Sequence, residues 1–417
     1  MAICQLHYSG QRLPGRHALA ARQAAASVPH AWSQPAAASL PAAAPLRMPP
    51  AGTRPVPGDE GLPAYIEHIA PALGHVDRHA GLLAYCRGLL LPLPRKTMDV
   101  LAQALDPQRA GALHQSLHHF VSKSGWSDAA VLRRVAQWVL PRMDMRAGGY
   151  WVLQQTALVP EGQNPAAAGP QRRAVSVSLA GADGSLPVSW QRYLPHAWAT
   201  DAQQRRKAAV PAGQAFATPV RMALNQLAAL RAEGAPAWCV VADAGLGTEP
   251  TLRDGLAALG LPYVVESDAG VRASVDGAAP APLRDIARAL APRAWRTLCW
   301  QDGDGTEYSG RFAAVRVRMA RSRRAPEAAQ WLLVEWPARQ SAPLRYMLST
   351  LPEHASLVDL VAAINTGRRA ARDLQAMRRD FGLGDYEGRS WRGFVHHATL
   401  ATVAYGWRMA QRLQQRC

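Results

Sequence analysis

The residues able to do chemistry in this chain are few and mostly solitary. Asp243 stands in Ala242-Asp243-Ala244-Gly245, directly after the apolar run Trp238–Ala242. A carboxylate at the tip of a buried strand can cap the turn or helix that follows, or offer hard oxygen to a divalent cation. Taken alone, the cap is the commoner use. His118-His119 and His396-His397 are adjacent pairs that point to different faces of a helix, a poor metal arrangement and a better fit to core or surface roles. Five cysteines (Cys4, Cys86, Cys239, Cys299, Cys417) are scattered singly and without metal-ligand spacing, which reads as a reduced, cytoplasmic protein. No Ser or Cys nucleophile motif is present. What the chain has in excess is arginine: 47 Lys+Arg face 30 Asp+Glu, a formal charge of +17, and only Lys96, Lys123 and Lys207 are lysine. Guanidinium forks onto phosphate and stacks on bases, so a polyanionic partner is expected, although a GC-rich genome also favours arginine over lysine.

The elements that would position these groups follow from periodicity. A length of 417 residues predicts two or three domains, and 48% hydrophobic residues exclude a wholly disordered chain. No uninterrupted apolar stretch is long enough for a transmembrane helix, so no membrane partner is expected. Residues 1–60, rich in Ala and Pro and almost free of acids, read as a disordered tail. Residues 61–147 repeat apolar positions at three- and four-residue spacing and predict an all-helical domain, with Asp106-Pro107 and Ser127-Asp128 as start signals. Its basic positions Arg87, Lys96, Lys123, Arg133 and Arg134 are expected to be exposed. Residues 148–268 predict strands at 150–158, 174–179 and 186–193, with Ala182-Asp183-Gly184 turning between the last two, then a helix, the 238–242 strand, a helix and the 263–266 strand. This is an α/β mixed sheet, antiparallel at one edge and parallel in the middle, in the order of a ribonuclease H-like fold. Residues 269–352 read as a β-rich, Arg-rich insertion, and 353–417 as C-terminal helices (356–381 and 391–415) that complete the core.

The order of motifs resembles the insertion-sequence 701 family of DDE transposases. The blocks that carry the resemblance are Tyr85-Cys86-Arg87-Gly88-Leu89-Leu90, His114-Gln115-Ser116-Leu117-His118-His119-Phe120, Trp126-Ser127-Asp128, Leu186-Pro187-Val188, Ala242-Asp243-Ala244-Gly245 and Tyr386-Glu387-Gly388-Arg389-Ser390-Trp391-Arg392-Gly393-Phe394. The resemblance implies a helical DNA-binding region, a ribonuclease H-like core, double-stranded DNA at element ends as partner, and two-metal phosphoryl transfer with Mg²⁺ held by three acids. It also implies a second copy of the chain, or an active relative, as a partner in assembly.

Against that pattern two acids are missing. Aligning Trp151-Val152-Leu153-Gln154-Gln155-Thr156 with the family's strand-one Asp-Asp-Thr puts glutamine at both aspartate positions, and the helix glutamate falls on Ala371. Asp243 is the retained acid. Asp373, two residues along the helix, turns about 200° away from Ala371. The stretch between strands one and two is shorter than in the family. Expected DNA contacts are Arg368, Arg369, Arg378, Arg389, Arg392, Arg321, Arg323 and Arg324, with Arg378 at the position of the family's basic residue seven beyond the glutamate. The expectation is a DNA-binding protein that does not cut, with Mg²⁺ not productively bound. The alternatives are an active enzyme using Glu161 or Asp373, and a pseudogene product or interaction protein that inhibits an active relative.

Overall fold

The apolar spacing of the first helical stretch produces α1 (Leu62–Ile69), α2 (Arg78–Leu90), α3 (Met98–Leu105), α4 (Ala110–His118) and α5 (Asp128–Val139), seen in a computed structural model. It describes residues 61–145, 148–160, 163–164, 172–236, 238–301, 306–320 and 328–415. The expected tail and Arg321, Arg323, Arg324 and Glu161 lie outside these residues, as does most of the shortened stretch between strands one and two. Both start signals act as read: Ser127 Oγ accepts the Ala130 N–H at 3.2 Å, and Asp106 accepts the Arg109 N–H at 3.2 Å.

Alternating apolar residues then form β1 (Tyr150–Ala157), β2 (Arg173–Ala180) and β3 (Ser185–Arg192), joined antiparallel in sequence. The chain continues through α6 (His196–Thr200), α7 (Ala202–Ala208), α8 (Pro219–Ala232), β4 (Cys239–Ala242), α9 (Ala244–Gly247), α10 (Pro250–Ala258) and β5 (Tyr263–Glu266). β4 lies parallel to both β1 and β5, as helical crossovers require. Next come β6 (Arg272–Ser274), β7 (Ala281–Pro282), α11 (Leu283–Ala289), β8 (Arg296–Gln301), β9 (Glu307–Met319), β10 (Gln330–Glu335), β11 (Arg345–Ser349), α12 (Leu357–Phe381) and α13 (Trp391–Gln414).

The strands make one mixed sheet in the order β3-β2-β1-β4-β5-β11-β10-β9-β6-β7, with β8 paired to β9. The segment expected to interrupt the core therefore extends its sheet, because β11 pairs antiparallel with β5 and carries β10 and β9 along. β8 was not expected as a strand, since Arg296, Thr297, Cys299 and Gln301 are exposed and hide its alternation. Lys96, expected on the surface, is buried at 2% exposure, its ammonium donating to the Leu91 carbonyl and its backbone N–H to Asp385 at 2.8 Å.

The two faces of the sheet are covered unequally. One packs Trp151, Leu153, Val177, Val240 and Val265 against α5, α8 and α13 through Val135, Leu227 and Val403. The other presents Val152, Val241, Val264, Leu333 and Met347 to Leu360, Val361 and Ile364 of α12. α12 opens with a capping box between Ser356 and Asp359 and closes at Gly382, which adopts the left-handed φ of 60°. Two residues on, Gly384 sits where a Cβ would lie 1.8 Å from the Val159 carbonyl oxygen just past β1.

α13 ties the helical layer to the sheet. Tyr65 donates to the Val403 carbonyl at 2.9 Å, and Trp190 of β3 donates to Thr402 Oγ1 at 3.1 Å. His397 accepts from the Tyr85 hydroxyl at 2.8 Å on Nδ1 and donates from Nε2 to the Gly382 carbonyl at 2.8 Å, an arrangement that suits the neutral ring. Burial holds its pKa down to about 4, as it does for the neighbouring His396. Both histidine positions are thus core, one of the two roles expected for them.

Two outcomes follow. Gly384→Ala forces the α12–α13 connection off the end of β1 and costs about 1–3 kcal/mol in urea unfolding, whereas Gly213→Ala, with open space around its Cβ, changes little. Because the unfolded chain protonates its histidines near pH 6.5 and the folded chain only near pH 4, stability falls as pH drops through that window, with a slope of up to about 1.4 kcal/mol per pH unit for each ring. In His397→Gln the stability-versus-pH curve flattens over the same range.

Candidate functional site

Parallel strands gather residues at their carboxyl ends, and here three carboxylates and two arginines collect on the α12 side of the sheet. Leu153 of β1 pairs with Ala242 of β4, so Gln154 and Asp243 lie side by side one step further along. Alternation sets their face: Val152 and Val241 point under α12, and Gln154 and Asp243 share their parity. Gln155 takes the opposite parity, with Trp151 and Leu153. Of the two glutamines, only Gln154 stands beside the retained acid.

Asp243 reaches solvent and caps α9, accepting the Gly245 N–H at 3.0 Å on Oδ1. Crowding by protein raises its carboxyl above the ordinary aspartate range, against the opposing pull of the Gly245 N–H and the Arg345 guanidinium. Ala242 pairs with Val265, so the next residue of β5, Glu266, is its neighbour. Glu266 accepts the Ala244 N–H at 3.2 Å. Its carboxyl is also raised, chiefly by partial burial and further by Asp243 and Glu335, while Arg345 lowers it.

The row continues across the sheet. Met347 of β11 pairs with Glu266, and Arg345, two residues earlier on the same face, overhangs the strand tips. Glu335 of β10 pairs with Arg345 in register and is buried at 5% exposure. From α12, Arg368 closes an ion pair with Glu335 Oε2 and donates to Asn365 Oδ1 at 3.1 Å. Beyond it the Trp300 and Tyr308 rings stack with centroids 6.0 Å apart, flanked by Arg368 and Arg372. Ala371 is exposed on α12, one turn beyond Gly367, which lies against Val241.

The remaining expected residues divide. Arg369 donates to the Gly181 and Ala182 carbonyls at 3.1 and 2.6 Å. Arg378 is buried at 6% exposure, turned toward Gln375 Oε1 (3.3 Å) and the Pro160 carbonyl (3.5 Å). Arg389 and Arg392 are exposed, and Arg392 donates to the Lys123 carbonyl at 3.1 Å. Asp373 stands apart from Asp243, accepting from the Ser185 N–H and Oγ at 2.8 and 2.9 Å at the start of β3. Sequence reasoning missed Glu266, Glu335 and Arg345. The available signal was an acid closing the short apolar strand Tyr263–Glu266, next to the strand that ends at Asp243.

Glu335 depends on its partner. Arg368→Ala leaves a buried carboxylate unpaired and lowers unfolding free energy by about 3 kcal/mol, and adding Glu335→Gln recovers most of the loss in a double-mutant cycle.

Comparison with known families places this geometry. The sequence pattern of the DDE superfamily endonuclease matches residues 68–293, which include β1, β4 and Asp243. No curated protein matches the chain. DDE superfamily endonucleases generally use divalent metals such as Mg²⁺. The donors here do not fit a pair of such ions: Gln154 is a neutral amide, Ala371 has no ligand atom, and Glu335 is already ion-paired. Among the described residues, no three His, Cys, Asp or Glu side chains converge on a point that would hold a metal. With the match spanning more than half of its length, the chain belongs to the DDE superfamily endonucleases.

Proposed function

We propose that this chain is a transposase-derived, double-stranded-DNA-binding protein of ribonuclease H-like fold, related to the insertion-sequence 701 group, that binds element ends without cutting them. The observation that carries the reading is the register of β1 and β4, whose last pair, Leu153 and Ala242, is followed by Gln154 on one strand and Asp243 on the other, beneath a helix that bears Ala371. Two-metal phosphoryl transfer needs several anionic oxygens around two dications. A neutral amide and a methyl group in place of two acids remove that charge, and an arginine stands in the same row. The strand order β3-β2-β1-β4-β5, with β4 parallel to β1 and β5, supports the fold assignment.

Binding would rest on exposed cations. Lys123, Arg389 and Arg392 adjoin one another around the start of α13 and form a surface suited to phosphates. Arg372, beside the Trp300–Tyr308 stack, would face DNA lying along α12, next to Arg368, which is already paired with Glu335. Arg321, Arg323 and Arg324, expected DNA contacts, lie outside the described residues. A second copy of the chain, or an active relative, would share the DNA.

The test measures binding and cleavage together, with the full chain and duplexes carrying the ends of its own element. Gel shifts in EDTA should show retardation that weakens with salt, log affinity falling by about 0.9 per log unit of salt for each phosphate contacted. The same duplexes in Mg²⁺ or Mn²⁺ should stay intact. Metal-dependent nicking that disappears in Asp243→Ala would establish the active-enzyme reading instead, and absence of any DNA retardation would leave the interaction-protein reading.

A further inference from the structure

A strand at the border of a sheet leaves one row of backbone N–H and C=O groups unpaired, and folds ordinarily blunt such a row with shortness, proline, a bulge or lysine. Two borders of this sheet carry such devices. β3 holds Pro187 and shifts register against β2 beside it, and β7 is two residues long and ends in Pro282. β8 carries none of them. It pairs with β9 over six consecutive residues without a break in register, and among the described residues its other side takes no strand. Its sequence, Arg296-Thr297-Leu298-Cys299-Trp300-Gln301, has one charge, at its first position, and Thr297 and Cys299 stand exposed. Leu298 and Trp300 pack on the α12 face. Alternation puts Arg296 with them, and Thr297 and Cys299 on the opposite face.

We propose that β8 is the docking edge for a second copy of this chain, paired antiparallel with its own β8 across a two-fold axis at Leu298. In such a pair opposite residues share a face, so the axis must pass between one residue and its twin. At Leu298 it sets leucine against leucine, Arg296 against Trp300 of the second copy, and Thr297 against Cys299 of the second copy. No cation then meets a cation, and the one charge of the strand meets an aromatic ring. With the axis at Cys299 instead, Arg296 falls outside the paired strand. The axis stands perpendicular to the sheet, so both α12 faces look the same way, as two copies holding one duplex require. The inference deepens the proposed sharing of DNA with a second copy and rests on that reading only for this last step. Pairing of one short strand is a small interface, so the dimer is weak and concentration-dependent.

The experiment uses the full chain without DNA, so that its outcome is separate from DNA binding and cleavage. Sedimentation equilibrium in reducing buffer, over a range of concentrations, compares the wild type with Thr297→Lys/Cys299→Lys, Thr297→Lys/Cys299→Glu and Ala257→Lys/Ala258→Lys. The first variant sets lysine opposite lysine on both sides of the axis, and the second sets lysine opposite glutamate. The third adds the same charge as the first at exposed positions of α10; circular dichroism confirms that each variant folds. The expected result is a reversible monomer–dimer equilibrium in the wild type and the α10 variant, a dimer at least about tenfold weaker in the double-lysine variant, and recovery in the lysine–glutamate variant. The proposal is overturned if the wild type stays monomeric at every concentration, which would leave the edge to a different partner. It is equally overturned if the double-lysine variant associates as well as the α10 variant, or if glutamate at 299 fails to restore association. Loss of the gel shifts with DNA would sink the DNA-binding reading and leave this comparison intact.

Discussion

The close seating of α12 on the sheet is the constraint from which the rest of the strand-end arrangement follows. At Gly367 a Cβ would meet Val241 Cγ1 at 2.9 Å, and at Gly384 it would meet the Val159 carbonyl at 1.8 Å. Glycine at these two places lets the helix and its exit approach β4 and the end of β1 more closely than any side chain permits. The apolar contacts of Leu360, Val361 and Ile364 then hold the face, while Leu374, Met377 and Phe381 carry the same helix into the opposite core beside α13. One helix is thereby buried on both sides of the sheet system. Its register sets Ala371 one turn beyond the Gly367 contact with Val241.

The charges at the strand ends follow from this seating. A helix that delivered a carboxylate at that position would add a fourth negative group beside Asp243, Glu266 and Glu335, and only bound cations could offset it. This helix delivers Arg368 instead, and β11 delivers Arg345. Three acids face two guanidiniums, and the balance is nearly closed by the protein itself. Burial of Glu335 is tolerable for that reason alone, since a carboxylate so deeply enclosed needs its ion pair.

Most of the fold could be read from periodicity because apolar spacing decides which face of an element is buried. The strand at 263–266 falls where expected to the residue, and the long helix expected over 356–381 ends at Phe381. β8 was illegible because it is an exposed strand with polar residues on both faces. The joining of β11 to β5 was illegible because pairing between strands about eighty residues apart leaves no local trace. The candidate site divides along the same line. Asp243 and Gln154 lie in short local motifs, whereas Glu266, Arg345 and Glu335 acquire meaning only when the sheet brings three distant strand ends together.

That division bears on how the arginine excess should be understood. Composition alone sets every guanidinium against a polyanion, yet several are consumed within the fold. Arg192 is buried, its guanidinium 5.0 and 4.6 Å from the Trp391 and Phe394 rings and donating to the Ser390 carbonyl at 3.1 Å, with burial lowering its pKa to about 10. Arg172 donates to the Tyr386 carbonyl, and Arg369 closes the β2–β3 turn. These side chains donate to backbone oxygen from within the fold. Replacing them would disturb the packing of the Tyr386–Phe394 segment and only secondarily any surface built on it. On the DNA-binding proposal, the field offered to phosphate is therefore narrower than the net charge suggests, since among the described residues only some arginines stand exposed, Arg372, Arg389 and Arg392 among them.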